Sequence, residues 1–297
     1  MPIKKIVLII SCLVAASAFA QQDFSKVQIK TIPVADGVYM LAGRGGNIGL
    51  SVGQDGVFLI DDQYAPLTDK ILVAISAVTD KPVRFLVNTH WHGDHTGGNE
   101  NIGKDGTIIV AHDNVRKRLA KGQFIKVFNA NIPPAPPTAL PVITFADGVT
   151  FHWNNETLEV VHSKSAHTDG DAVVYFKSAN VVHVGDLFFN GIYPFIDAGS
   201  GGSLEGVIAG VDDVLGRIDD NTKVIPGHGP LGNKADLKAY RDMLATVHGR
   251  MTELIKKGKN MDEIVAAKPT ADYDAKWGGG FLKPDPWVKI VYSVMQK

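Results

Sequence analysis

Cysteine is nearly missing from this 297-residue chain; the single thiol is Cys12. Charge of one sign is equally scarce, with 30 basic residues against 31 acidic ones. That balance leaves no basic footprint for nucleic acid or an anionic membrane surface. Long apolar runs are absent except for Ile6 to Ala16 near the N-terminus. Lys4 and Lys5 precede that run, and Ala18-Phe19-Ala20 comes after it as a small-x-small pattern. This is the layout of a secretory signal peptide over residues 1–20, too short to remain as a membrane-spanning helix. Cleavage near Ala20 predicts a periplasmic or secreted protein with no stable membrane anchor. Ile9-Ile10-Ser11-Cys12 loosely matches a lipoprotein cleavage box, but only a six-residue apolar stretch would precede Cys12. After cleavage at Ala20 the chain keeps 28 basic and 31 acidic residues, a net charge of −3, and no thiol. Such a chain tolerates an oxidising compartment without disulfides, and any metal it binds cannot be held by thiolate.

Residues 21–297 are long enough for one large core and short for two independent enzymes. From Val27 to Asp61 the pattern is mostly β, with runs at Val38 to Leu41, Ile48 to Val52 and Val57 to Ile60. Turn signals at Asp36-Gly37 and Asp55-Gly56 separate them. A helix is expected over Pro66 to Val78, a buried strand over Val83 to Val87, another over Ile108 to Val110, and a basic helix from about Asp113. Ile132 to Pro141 is a proline-rich extended connector. Strands come next at Thr157 to Val161, Ala172 to Phe176, Val181 to Val184 and Lys223 to Ile225, with helices over Leu204 to Ile218 and Lys234 to Lys257. The remainder is a helical tail broken by Pro269 and Gly278-Gly279-Gly280. No short repeat is visible, so a single α/β or α+β domain is favoured over a solenoid.

The strongest chemical signal is His90-Trp91-His92-Gly93-Asp94-His95, directly after an apolar strand. Imidazole is the commonest zinc ligand, and a carboxylate completes such shells. Alternate residues of an extended segment point the same way, so His90 and His92 can grip one ion. Asp94 and His95, beyond the turn at Gly93, can face a second.

The motif resembles the HxHxDH signature of the metallo-β-lactamase superfamily, and three downstream motifs are similar in order. His167 stands in Ala166-His167-Thr168-Asp169-Gly170-Asp171, Asp186 after Val184-Gly185, and His228 in Pro226-Gly227-His228-Gly229-Pro230. The resemblance covers roughly Val27 to Tyr240 and implies a four-layer αββα sandwich with the active site along one edge. It also implies the ligand sets: His90, His92 and His167 for a first ion, Asp94, His95 and His228 for a second, and Asp186 bridging. Histidine at position 92, where diiron flavoproteins of the superfamily carry glutamate, favours two Zn²⁺, with iron or manganese as competitors. One large group of true metallo-β-lactamases has cysteine at the position of Asp186; aspartate there is similar to glyoxalase II, lactonases and phosphodiesterases. Alkylsulfatase-type relatives are much longer, and the tail from Lys234 carries no specific match to the glutathione-binding domain of glyoxalase II.

The function so implied is a dinuclear zinc hydrolase. Two ions about 3.5–4 Å apart lower the pKa of a shared water and aim the resulting hydroxide at an ester, thioester, lactone or amide carbonyl. Asp94 is the expected catalytic residue, orienting the nucleophile and moving its proton. The competing readings are a β-lactamase, a phosphodiesterase, and a non-catalytic, metal-stabilised periplasmic accessory protein. In the aromatic stretch Phe188 to Phe195, Asn190 and Tyr193 are candidate substrate-binding donors. Trp91 is expected to shield the metal loop, and Gly43 to Gly49, with Arg44, to form either a flap over the substrate or an ordinary turn. Gly199 to Ser203 reads as a loop leading into a helix. His112, His152, His162, His183 and His248 are expected to be structural; His183 adjoins Asp186 but should point away from it, and His162 lies close enough in sequence to His167 to support a ligand from behind.

Overall fold

A computed structural model describes residues 23–296; the segment expected to be a signal peptide, with both of its expected cleavage points, lies outside the described residues. The first half runs β1 (Lys30–Ala35), β2 (Val38–Ala42), β3 (Ile48–Gly53), β4 (Gly56–Ile60), α1 (Thr68–Ser76), β5 (Val83–Val87), α2 (Gly93–Thr96), α3 (Asn99–Lys104), β6 (Ile108–His112) and α4 (Asp113–Lys121). A small hairpin, β7 (Gln123–Ile125) and β8 (Ala130–Ile132), precedes β9 (Ile143–Phe145). The second half runs β10 (Gly148–Trp153), β11 (Glu156–Ser163), β12 (Asp171–Phe176), β13 (Val181–His183), α5 (Leu204–Arg217), β14 (Lys223–Ile225), β15 (Gly232–Asn233), α6 (Lys234–Lys256), α7 (Met261–Ala266), α8 (Asp274–Trp277) and α9 (Pro284–Met295).

Two large sheets result, one of seven strands in the order β1-β2-β3-β4-β5-β6-β9 and one of six strands from β10 through β15 in sequence order. The period-2 alternation of strands decides which face each residue covers. Phe58 and Ile60 of β4 meet Val174 and Phe176 of β12 in the core between the sheets. Their neighbours Val57 and Leu59 point the other way, onto Ile71 and Ile75 of α1 and Ile102 of α3. In the second sheet Val173 and Tyr175 turn outward, into the cluster built by α5, α6 and α9. The result is four layers, helix, sheet, sheet, helix, as the resemblance implied.

Helix ends are set locally. Asn233 and Asp236 form a capping box at the start of α6, and Gly258, with positive φ, lies just past its last turn and closes on the Ile255 carbonyl. Ser203 caps α5 by accepting from the Gly206 amide, so the Gly/Ser-rich loop leads into that helix. Among the described residues no helix is long and apolar enough to cross a membrane.

In the first sheet the pairs from β4 through β5 and β6 to β9 are parallel, and in the second sheet β13 and β14 are parallel. The loops after their C-terminal ends therefore open on one edge of the sandwich. Asp61 comes after β4, His90 after β5, Asp186 after β13 and His228 after β14.

Candidate metal centre

The seven expected ligands converge from four segments of the chain into two groups. His90, His92, His167 and Asp186 form one, and Asp94, His95 and His228 the other; within each group the ligating atoms lie within 4.8 Å of one another. Asp186 stands between them. Its Oδ2 is 3.4 Å from His167 Nε2 and 3.7 Å from His90 Nε2, while its Oδ1 is 3.1 Å from His95 Nε2 and 3.4 Å from His228 Nε2.

The outer nitrogens of four imidazoles are held, and those bonds fix which nitrogen is bare. Thr89 Oγ1 donates to Asp61 Oδ2 at 2.7 Å, so it accepts from His90 Nδ1 at 3.0 Å and leaves His90 Nε2 without a proton. His95 Nδ1 donates to Asp61 Oδ2 at 2.7 Å, and His167 Nδ1 donates to the Phe195 carbonyl at 2.8 Å. His92 is reversed: Nε2 donates to Asp197 Oδ2 at 3.1 Å and Nδ1 faces inward. Bare nitrogens of His92 and His167 therefore face each other at 2.8 Å. His90 Nε2 and Asp186 Oδ1 are buried without a hydrogen-bond partner. Orphaned buried groups cost about 1–3 kcal/mol each, and a cation held by the group that each atom faces removes that cost. The donor set thus fits divalent metal, which the fold family implies.

Electrostatics agree. Burial alone would push the Asp186 carboxyl up, but His95, His228, His90 and His167 hold it well below the usual carboxylate range. Burial, then His95, pushes His90 well below its ordinary value, and burial brings His167 down to about 4. His95 moves the other way: against burial, Asp186, Asp61 and Asp94 raise it well above normal. Acidic groups around His95 demand positive charge, and neutral imidazoles opposite it offer lone pairs.

Two glycines make the crowding possible. A Cβ on Gly46 would lie 2.1 Å from the His95 ring, and one on Gly227 would lie 2.0 Å from Asp186 Oδ1. The Gly43 to Gly49 segment is accordingly a packed turn between β2 and β3, its Gly46 amide bonded to the Asp94 carbonyl. Asp61 has φ of 62° and Gln63 of 57°, a left-handed backbone that bends the chain after β4 so that the Asp61 carboxylate reaches both Thr89 and His95.

Sequence reasoning missed Asp61, Thr89 and Asp197, single polar residues in loops with no period or motif to mark them. It placed two donors wrongly. Tyr193 is fully buried, stacked on Trp287 with ring centroids 4.2 Å apart, and its hydroxyl donates to Asp274. Asn190 donates its amide to the Pro230 carbonyl and does not line the cleft. The aromatic stretch divides instead. Phe189 stacks on His228 and Phe195 borders His92 and His167, while Phe188 and Tyr193 enter the core. Trp91 is buried beside His92, its indole N–H donating to Ser200 Oγ, which donates in turn to Asp197. His162 stacks on His112 and donates to the Asp171 carbonyl, and His183 bonds the Asn47 carbonyl; neither touches a ligand.

The centre opens into a cleft of about 520 Å³. Fold and site together define a hydrolase-like αββα protein with a His/Asp centre for divalent metal. Residues 41–250 match the Metallo-beta-lactamase superfamily profile, and the chain belongs to that superfamily. The Beta-lactamase-like protein 2 homolog of Caenorhabditis elegans is 23% identical over 225 residues, covering 74% of this chain and 68% of that protein. Among solved structures, a metallo-beta-lactamase from Pontibacter korlensis superposes with a TM-score of 0.62 at 22% identity, over 73% of this chain and 99% of that one. A stereoselective inverting sec-alkylsulfatase from Pseudomonas sp. gives 0.66 at 20% identity, over 89% of this chain and 50% of that one. The structural likenesses are to the fold, and the chain spans half of the alkylsulfatase.

Proposed function

We propose that the protein is a dinuclear zinc hydrolase that cleaves an ester, thioester, lactone or amide bond in a small substrate. The observation that carries this reading is the division of the Asp186 carboxylate, one oxygen toward each ligand group. A set of five imidazoles and two carboxylates suits zinc better than magnesium or calcium, with iron and manganese as competitors. Bound ions would supply Lewis acidity and activate water near neutral pH.

The chain's own residues do the rest. Asp94 Oδ2 lies 3.4 Å from His228 Nε2, and its side chain is 23% exposed, the most open carboxylate of the ligand set. It is placed to take a proton from attacking water and deliver it to the leaving group. Asp61, Asp197 and Thr89 hold the imidazoles in the required orientation. Trp91 and Phe195 exclude bulk water beside His92. A structural zinc site is normally closed, whereas this centre opens into a substrate-sized cleft, which favours turnover over an accessory role. Export to the periplasm or beyond, and small molecules as partners, complete the proposal.

Metal analysis with a hydrolysis panel tests it: nitrocefin, acyl-homoserine lactones, thioesters and bis-p-nitrophenyl phosphate. We expect two zinc ions per chain and chelator-sensitive turnover of a carbonyl substrate. Two bound zincs without any turnover would overturn the enzyme reading in favour of the accessory one. Turnover of the phosphodiester alone would overturn the carbonyl assignment, and rapid nitrocefin cleavage would narrow it to a β-lactamase.

A further inference from the structure

The cleft is unlike at its two ends. On the side of Asp94 and His95 it is bordered by Arg44, Gly45 and Tyr64. Arg44 is exposed and, among the described residues, has no ion-pair or hydrogen-bond partner. On the side of His92 and His167 it is bordered by the β7–β8 hairpin, whose Ile125, Phe128 and Ile132 face the cavity. Phe128 packs on Phe195 with centroids 4.8 Å apart, and Phe195 in turn borders His92 and His167.

That hairpin belongs to neither large sheet. Its base is anchored: Ile125 and Ile132 pack on the cluster of Trp91, Val115 and Leu119, and Arg118 donates to Gln123. Its tip is not covered. Phe128 is 44% exposed, and Phe281, which also lines the cleft, is 59% exposed. Two large apolar side chains left in water at the mouth of one cavity mark a surface that an apolar ligand group covers.

We propose that the hairpin tip and Phe281 form a subsite for an alkyl or aryl group of the substrate, and that Arg44 receives a carboxylate at the other end. The substrate class is then an amphiphilic carbonyl compound, apolar toward the His92 and His167 side and anionic toward Arg44. This rests on the hydrolase reading for its chemistry, but binding can be measured without turnover.

The test is calorimetric binding of straight-chain 4-oxo acids to the metal-loaded protein; each carries the carboxylate, a ketone carbonyl that cannot be hydrolysed, and beyond it an alkyl tail of one to nine carbons. Affinity should rise about fourfold per added methylene until the subsite is filled, the factor that corresponds to burying one CH₂. In the double variant Phe128→Ser/Phe281→Ser the chain-length dependence should flatten while the ligand with the one-carbon tail binds as before. Arg44→Gln should weaken every member by a similar factor, about tenfold for a lost charge-assisted contact. A control, Val142→Ser at an exposed position away from the cleft, should change nothing. A wild-type affinity independent of chain length overturns the subsite, as does a dependence that survives the double variant. Binding to phosphatidylcholine vesicles with no chain-length dependence would reassign the patch to a lipid surface. Chain-length dependence in a protein that hydrolyses nothing keeps the subsite and fails the hydrolase reading alone.

Discussion

Asp197→Asn is the substitution whose consequence is most narrowly fixed by geometry. Asp197 Oδ2 accepts from His92 Nε2 and from Ser200 Oγ, and Oδ1 accepts from the Ser200 amide. Burial would raise this carboxyl, but the His92 bond and charge bring it to about 2, so it is an anion across the neutral range. An isosteric amide keeps the volume but removes the charge. Its NH₂ must also face a donor, either the His92 N–H or the Ser200 amide. His92 then loses its orienting anion or is driven to the tautomer that places a proton on the inward Nδ1. Losing such an outer partner weakens metal binding about 10–100-fold, or about 1.4–2.8 kcal/mol. The loss should fall on the His90, His92 and His167 ion and spare the Asp94, His95 and His228 ion, because Asp197 touches only the former group. Competitive zinc titration against a chromophoric chelator resolves the two binding events. Melting of the chelated protein checks that the fold survives, since the Asp197 amide still donates to the His167 carbonyl. Unchanged affinity at both sites, or equal weakening of both, would refute the assignment of Asp197 to His92.

Three further outcomes are expected. Asp94→Ala should reduce kcat by several orders of magnitude while zinc remains at the His90, His92 and His167 group; near-normal turnover with metal in place refutes the proton-transfer role. Gly227→Ala should expel metal, because the new methyl would sit 2.0 Å from Asp186 Oδ1; wild-type metal content by elemental analysis would show that the Asp186 carboxylate can move without loss. Tyr193→Phe deletes the hydroxyl bonded to Asp274 and should lower stability by about 1 kcal/mol, or roughly 2–4 °C in Tm, with kcat within about twofold of wild type. A large drop in kcat there would return Tyr193 to the active site.

Most of the structure that was legible in the sequence was either periodic or clustered. Val83–Val87 and Lys223–Ile225 have the bounds their apolar runs suggest, and α5 and α6 match to within a residue. The ligands His90, His92, Asp94 and His95 sit together because one strand end and one turn carry all four. His167, Asp186 and His228 each stand alone, and only their order, compared with a known family, linked them. Asp61 and Asp197 were invisible for a physical reason: they reach the ligand loop through hydrogen bonds to residues about 28 to 105 positions away, and the local bonds of Asp197 to Ser200 give no sign of that reach. The stretch from Phe188 to Phe195 misled because it is mostly irregular, so no period tells which rings face the cleft. The hairpin at 123–132 escaped as well, since three-residue strands carry too little alternation to read.

Both ligand groups draw on both halves of the chain. His90 and His92 come from the loop beside the first sheet, whereas His167 and Asp186 come from the second; likewise Asp94 and His95 need His228. Asn47 stitches the same seam, its amide N–H and side chain reaching the carbonyls of Gly227, Pro226 and Gly229. Neither half of the sandwich can therefore assemble a coordination shell by itself. Metal affinity in this protein doubles as a gauge of sheet-to-sheet alignment, and a core substitution far from the cleft that shifts one sheet against the other will be felt first as loss of the ions.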